Sequence, residues 1–200
     1  MKLNFIFINI ILTIFINLYN INTSFSQDSA SVIMYHRFGE PRYPSTNIQI
    51  ERFKKHLEEL GNPKYNVLGL LEIVSKLKAG ISLPDYAVGI SIDDAFLSVY
   101  QNAWPILKNQ NIPFTLFVAT DPIDQGLSGY MSWDQIRELK NNGVEIGSQT
   151  KSHPHMHKLT EKEIRKEINY SNSRFEEELG EIPKLFAYPY GEYNLVAKNV

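Results

Sequence analysis

The segment that decides the fold is Tyr86-Ala87-Val88-Gly89-Ile90-Ser91-Ile92-Asp93-Asp94. Its first seven residues have the apolar pattern of a buried strand, and two adjacent carboxylates follow directly. Carboxylates at the end of a buried strand are costly to remove from water and contribute nothing to a hydrophobic core. The pair therefore predicts a polar cleft in which one acid binds a metal ion and the other transfers protons. The alternative is that Asp94 only caps a helix beginning near Ala95.

Two further segments place polar or turn-forming residues after strand-like runs. Residues 147–157, Gly-Ser-Gln-Thr-Lys-Ser-His-Pro-His-Met-His, contain three of the five histidines in the chain. Histidine clusters are typical of transition-metal sites, although a histidine-rich surface loop has the same composition. Residues 185–194, Leu-Phe-Ala-Tyr-Pro-Tyr-Gly-Glu-Tyr-Asn, contain a Pro and Gly turn, a pattern also found in aromatic turns that pack on a core edge.

These three segments, in this order, resemble the motifs of the polysaccharide deacetylases of carbohydrate esterase family 4, the nodulation-protein-B-like domain. Ser91-Ile92-Asp93-Asp94-Ala95 is similar to the family's Thr-Phe-Asp-Asp-Gly motif, and Gln149-Thr150-Lys151-Ser152-His153 to its His-Ser/Thr-x-x-His motif. Tyr188-Pro189-Tyr190-Gly191 is similar to the third, turn-forming motif. Met34-Tyr35-His36-Arg37-Phe38 resembles the opening strand of bacterial members that act on exported polysaccharides.

The resemblance implies a role for each motif residue. Asp93 would be the catalytic base, and Asp94 and His153 would be metal ligands. Tyr190 would help to hold the oxyanion through its backbone N–H group. The residues implied to contact the substrate are His155, Tyr188, Pro189 and Gly191. The implied cofactor is a divalent metal ion, zinc in the first place with cobalt, nickel or iron as alternatives, and the implied partner is a polysaccharide or oligosaccharide substrate.

The second motif departs from the family at its first position, where Gln149 replaces a histidine. An amide oxygen binds divalent cations, but it is a poorer zinc ligand than an imidazole. We therefore expect Gln149 to be a weaker metal ligand, or the site to favour another ion or to use a neighbouring residue. His157 repeats the His-x-x-x-His spacing downstream of His153, but Pro154 and the preceding Gly-Ser pair favour the first register.

Other departures concern the first and third motifs and the general acid. Ala95 stands where the family has glycine, and Ala187 where many members have an arginine that orients the base. The resemblance implies a general-acid histidine downstream of the third motif, whereas this sequence ends at Val200, which indicates a fragment or an enzyme without that acid. His36 stands at the end of the first predicted strand and is interpreted as a structural histidine, with a position facing the cleft as the alternative. His56 is expected at the surface of a helix.

Residues 1–26 have the layout of a signal peptide, with a charged start, an apolar region at 5–18 and small residues at 24–26. An uncleaved N-terminal membrane anchor is the alternative. The sequence contains no cysteine, so no disulfide contributes to the fold. We therefore expect export to the periplasm or cell envelope of a bacterium. The remainder, 27–200, is expected to be one incomplete polysaccharide deacetylase domain with its core homology at about 86–200.

Strand-like and helix-like segments alternate along the chain. Predicted strands lie at 32–36, 65–68, 86–92, 113–119, 144–148 and 184–188. Predicted helices lie at 51–60, 70–78, 95–108, 132–141 and 160–179. This alternation predicts an α/β fold with a parallel sheet, and the resemblance implies the distorted (β/α) barrel of the polysaccharide deacetylases, with its C-terminal strands missing from this chain. The net charge of −2 argues against nucleic acid as a partner.

The function that these observations favour is metal-dependent removal of N-acetyl groups from an N-acetylhexosamine-containing envelope or exported polysaccharide. An O-deacetylase of acetylated sugars is one alternative, because ester cleavage depends less on a strong general acid. A non-catalytic glycan-binding domain on the same scaffold is the other. Gln149 and the absence of the family's acid motivate both alternatives.

Overall fold

A computed structural model describes residues 29–200, and within them a parallel β-sheet is covered by helices. The predicted signal peptide at 1–26 lies outside these residues. The strands are β1 Ser31–Tyr35, β2 Arg37–Phe38, β3 Asn47–Ile48, β4 Asn66–Val67, β5 Ala87–Ile92, β6 Thr115–Val118 and β7 Glu145–Ser148. The α-helices are α1 Ile50–Leu60, α2 Leu70–Lys78, α3 Trp104–Asn109, α4 Thr120–Asp124, α5 Trp133–Asn141, α6 Glu161–Leu179 and α7 Leu195–Asn199.

The central strand of the sheet is β5, and all six of its residues are buried. It pairs in parallel with β1 from Ser31 opposite Val88 to Tyr35 opposite Ile92. It also pairs in parallel with β4 and with β6, and β6 pairs with β7. Strands buried on both faces read as continuous apolar runs, which is why the segment before Asp93 contains no polar alternation. The α/β class with a parallel sheet is confirmed, and over residues 29–200 the strands do not close into a ring.

Two predicted elements differ from the structure. The segment predicted as a helix at 95–108 contains a π-helical turn, Val99–Ala103, before α3, and Pro105 lies in the first turn of α3. Proline lacks a backbone N–H and cannot continue the preceding hydrogen-bond ladder, which explains the interruption. The strand predicted at 184–188 is reduced to one parallel bridge between Ser148 and Phe186.

Two of the helix starts, those of α5 and α6, carry capping boxes. The Ser132 and Thr160 side chains accept hydrogen bonds from the N–H groups of Gln135 and Glu163, whose own side chains bond back to the cap residues. These reciprocal bonds satisfy donors that the first turn leaves free. The long helix α6 ends at Gly180, whose φ of 75° lies in the left-handed region that glycine adopts without strain.

Gly147 in β7 is required by close packing against a neighbouring ring. A Cβ atom at this position would lie 2.3 Å from Cε1 and 2.4 Å from Cδ1 of Phe117, which is buried. We expect Gly147→Ala to lower the free energy of unfolding by about 1–3 kcal/mol, because the ring or the strand must move. Urea unfolding measures this loss. The same change in a Phe117→Leu background should cost less, and an equal cost in both backgrounds would contradict the assigned clash.

Between residues 29 and 200 the structure contains no helix with both the length and the apolar character needed to cross a bilayer.

Candidate active site

The sequence motifs meet at the carboxyl ends of the parallel strands. Asp93 and Asp94 follow the end of β5, and Gln149 follows the end of β7. The bridge from Ser148 to Phe186 brings the third motif beside β7. Because carboxyl ends of parallel strands lie at the same edge of a sheet, segments more than 50 residues apart in sequence contribute to one cleft.

Asp93 is fixed in this cleft by the sheet. Its backbone N–H donates to the Tyr35 carbonyl oxygen at 2.9 Å, and only 7% of the residue is exposed. Burial raises the pKa of the Asp93 carboxyl to about 6, although the positive charge of His36 and a hydrogen bond from Gln149 act to lower it. A carboxylate with a pKa near 6 is mostly ionised at neutral pH and remains basic enough to accept a proton in catalysis.

Gln149 contacts the base directly. Its side-chain Nε2 donates to Asp93 Oδ2 at 3.1 Å, and the residue is 2% exposed. The remaining oxygens, Asp93 Oδ1 and Gln149 Oε1, are buried and have no hydrogen-bond donor among residues 29–200. Buried acceptors without partners cost free energy, and ions, waters or ligands commonly satisfy them at functional sites. The structure therefore leaves one buried oxygen of each of these two side chains without a partner among residues 29–200.

Asp94 and His153 form a second pair beside the base. His153 Nε2 lies 3.4 Å from Asp94 Oδ1, and the two side chains are 22% and 19% exposed. Burial lowers the pKa of the His153 imidazole, although the charge of Asp94 opposes this effect. A neutral imidazole is the form that binds metal ions. The backbone N–H of His153 donates to Thr150 Oγ1 at 3.1 Å, which fixes the loop that carries the ring.

The donor atoms of this region fit a divalent cation. Asp94 offers a carboxylate oxygen, His153 an imidazole nitrogen and Gln149 a buried amide oxygen without a partner. Carboxylate, imidazole and amide groups are all donor types that divalent cations accept. The amide oxygen of Gln149 is a harder ligand than the imidazole nitrogen of the histidine it replaces. The weaker zinc binding expected from the sequence stays a prediction.

Strained backbone conformations concentrate at the motifs. Of the seven non-glycine residues with positive φ between residues 29 and 200, five belong to the site: Asp94 (71°), Ala95 (52°), Thr150 (73°), His153 (56°) and Tyr190 (59°). Such conformations persist where surrounding structure imposes them, and they occur frequently at functional sites. The value at Ala95 gives a physical reason for the family's glycine, since an alanine there costs about 1 kcal/mol.

The third motif forms an exposed aromatic turn over the cleft. The Tyr190 ring, in a residue 59% exposed, lies edge-on to His153 with 4.6 Å between ring centroids. The same ring stacks on His155 at 4.1 Å with an interplanar angle of 15°. Tyr190 therefore connects the third motif to the histidine segment, residues 147–157.

The remaining residues of this turn have different surroundings. Pro189 is buried, and Gly191 has a φ of 67°, so these two residues set the shape of the turn. Tyr188 stacks on Tyr193 with 5.1 Å between ring centroids and packs edge-on against Phe186. The predicted substrate contacts His155, Tyr188, Pro189 and Gly191 thus share one wall, and their binding role stays a prediction.

His36 directly follows β1, the strand that pairs with β5. Its electrostatic interaction acts to lower the pKa of both Asp93 and His153, and His36 also lines a cavity with Tyr35, Gln49 and His56. Among the histidines of residues 29–200, it alone has neither a hydrogen bond nor an ion pair with another side chain. The alternative in which His36 faces the cleft stays a prediction. His56, by contrast, is exposed on α1 as expected and contacts the Tyr35 hydroxyl at 2.9 Å.

Comparison with known proteins gives the same assignment. A protein-family model described as polysaccharide deacetylase matches residues 81–200. The chain belongs to the polysaccharide deacetylase family. A putative polysaccharide deacetylase of Bacillus subtilis, YxkH, is 26% identical over 163 residues, covering 82% of this chain and 57% of that protein. A poly-β-1,6-N-acetyl-D-glucosamine N-deacetylase of Staphylococcus aureus is 26% identical over 198 residues, covering 85% of this chain and 67% of that protein.

Solved structures share the fold of this polysaccharide deacetylase domain. IcaB from Ammonifex degensii has a TM-score of 0.78 and 28% sequence identity, covering 86% of this chain and 78% of that one. The Streptococcus pyogenes deacetylase PplD, solved in complex with acetate, has a TM-score of 0.77 and 22% identity, covering 85% and 77% of the two chains. The chain spans somewhat more than half the length of the B. subtilis relative.

Proposed function

We propose that this polysaccharide deacetylase domain removes N-acetyl groups from a polysaccharide built of N-acetylhexosamine, using a divalent metal ion. The observation that carries the proposal is the buried Asp93 carboxylate directly beside the Asp94–His153 pair. The family match and the name of the S. aureus relative support the reaction class and the kind of substrate.

The proposed metal ligands are Asp94, His153 and Gln149. A divalent cation bound there would polarise the acetamide carbonyl and make a water molecule more acidic. Asp93 accepts the proton of the attacking water, since its pKa of about 6 keeps it ionised at neutral pH. The backbone N–H of Tyr190 donates to the oxyanion that forms at the carbonyl oxygen. The strained φ of 59° at Tyr190 orients this N–H.

His36 is the proposed donor of the proton that the amine leaving group requires. An amide carbon–nitrogen bond breaks only when its nitrogen is protonated, so the reaction needs an acid. His153 already contacts Asp94, and His155 and His157 contact Glu192, whereas His36 is not paired in this way among residues 29–200. Its charge acts on Asp93, so the acid and the base are electrostatically linked. The proposed acid thus comes from the residue directly after β1, far in sequence from the third motif.

The exposed aromatic faces of the third motif are proposed to bind the sugar. Tyr190 is 59% exposed and Tyr193 is 58% exposed, and aromatic faces stack against sugar rings. Tyr188 and His155 extend this wall, while Pro189 and Gly191 hold its shape. The proposed location of the protein is the periplasm or cell envelope, which the signal-peptide layout of 1–26 supports.

The proposal is tested by acetate release from β-1,6-linked N-acetylglucosamine oligomers. We expect release that a chelator abolishes and added zinc or cobalt restores, because Asp93 alone lacks the carbonyl activation that the cation supplies. An O-acetylated oligosaccharide at the same concentration serves as the matched substrate. Faster release from the ester than from the amide would favour the O-deacetylase. Glycan binding that is insensitive to chelator, without any acetate release, would contradict both enzymatic functions.

A further inference from the structure

A second group of side chains with metal-ligating atoms lies next to Tyr190, which stacks on one of its members, His155. It consists of His155, His157 and Glu192, whose ligand atoms all lie within 4.8 Å of one another. His155 Nδ1 is 2.7 Å and His157 Nδ1 is 3.0 Å from the same oxygen, Glu192 Oε2. Two imidazoles and a carboxylate are a zinc-type donor set.

The geometry at His157 indicates that this group is more than a pair of hydrogen bonds. His155 makes a hydrogen bond to Glu192, but His157 Nδ1 is buried and has no hydrogen-bond partner among residues 29–200, despite its short distance to the carboxylate. This nitrogen is therefore buried without a hydrogen-bond partner in the described part of the chain, and a bound cation would supply a partner. The distances from Glu192 Oε2 to the two imidazole nitrogens are 2.7 and 3.0 Å, and ligand atoms around zinc lie about 3.4 Å apart.

We propose that His155, His157 and Glu192 form a second site for a zinc-class divalent ion, and that the bound ion clamps the aromatic turn in place. The site would join the histidine segment to Glu192, which lies 35 residues after His157 in the turn of the third motif. A water molecule completes the coordination, since the side chains are 35–44% exposed.

The second site contacts Tyr190, whose backbone N–H is the proposed oxyanion donor. His155 stacks on Tyr190 with 4.1 Å between ring centroids, and Glu192 is two residues from Tyr190 in the same turn. An ion on His155 and Glu192 therefore holds both the ring and the backbone of the turn. Its role is to position Tyr190, and it does not contact the acetamide group. Because zinc binding is measured without a glycan, this inference does not depend on the proposed deacetylase activity.

The experiment is a calorimetric titration of zinc into the metal-stripped full chain. We expect two equivalents for the wild type and one for the Asp94→Ala/His153→Ala variant, because the second site keeps all its ligands. We expect one equivalent for His157→Ala and for Glu192→Gln, or an affinity at the second site lower by at least ~10-fold. The matched controls, His56→Ala and Glu161→Gln, remove the same groups from exposed helix positions and should retain two equivalents.

A second readout follows the turn itself. Tyr190 and Tyr193 are exposed chymotrypsin sites, and zinc at 100 times its dissociation constant should slow their cleavage by up to ~100-fold if cleavage requires the turn to open. The protection should persist in Asp94→Ala/His153→Ala and disappear in Glu192→Gln. The proposal is overturned if Asp94→Ala/His153→Ala binds no zinc, or if His157→Ala and Glu192→Gln retain two equivalents and full protection.

Discussion

Asp93→Asn is expected to lower kcat/KM for acetate release by about 10²–10⁴-fold, the range that a general base contributes. Asparagine keeps the shape of the side chain and can still contact Gln149, but its amide cannot accept a proton from water. The measurement is acetate release from the N-acetylglucosamine oligomer at saturating metal. Asp134→Asn, on the exposed surface of α5, is the matched control and should leave the rate unchanged.

The same variant separates a catalytic loss from a loss of folding. Burial raises the pKa of Asp93 to about 6, above its ordinary value, so in the metal-free protein its charged form weakens folding above that pH. Asp93→Asn removes this charge, and the metal-free variant should therefore unfold at pH 8 with an unchanged or higher midpoint. Activity within tenfold of the wild type would refute the assignment of Asp93 as the base.

His36→Gln is expected to reduce kcat/KM on the N-acetylated oligomer by about 10²–10³-fold, because the amine would depart without a proton. The loss should shrink to less than ~10-fold on p-nitrophenyl acetate, whose phenolate leaving group needs no acid. A residue with a purely structural role would lower both rates to a similar extent. The two substrates therefore distinguish proton donation from positioning.

The control for this prediction is His56→Gln, which changes a histidine exposed on α1. It should preserve both rates, although it removes the contact with the Tyr35 hydroxyl. If His36→Gln and the wild type release acetate from the amide at similar rates, His36 is not the acid. Equal losses on the amide and the ester would assign it a structural role instead.

Particular residues show which parts of the site were predictable. Asp93, Asp94, His153 and Tyr190 could be identified as candidate site residues from the local sequence, because each motif follows a strand-like segment. The spacing also favoured His153 over His157 as the partner of the first motif, and the structure places His153 beside Asp94. The position of His36 next to the end of β5 depends on the pairing of β1 with β5, which joins residues more than 50 positions apart.

The sequence by itself determined the α/β class, the parallel sheet, the capped starts of α5 and α6 and the family. These properties depend on local periodicity, capping residues and short motifs, which act over a few positions of the chain. The tertiary structure alone decided that Gln149 bonds to Asp93, that β1 brings His36 next to the end of β5 and that Glu192 meets His155 and His157. Each of these contacts joins distant segments through the register of parallel strands and the strained loops at their ends. Side-chain distance and burial, and therefore the pKa of Asp93, arise only when those segments pack together.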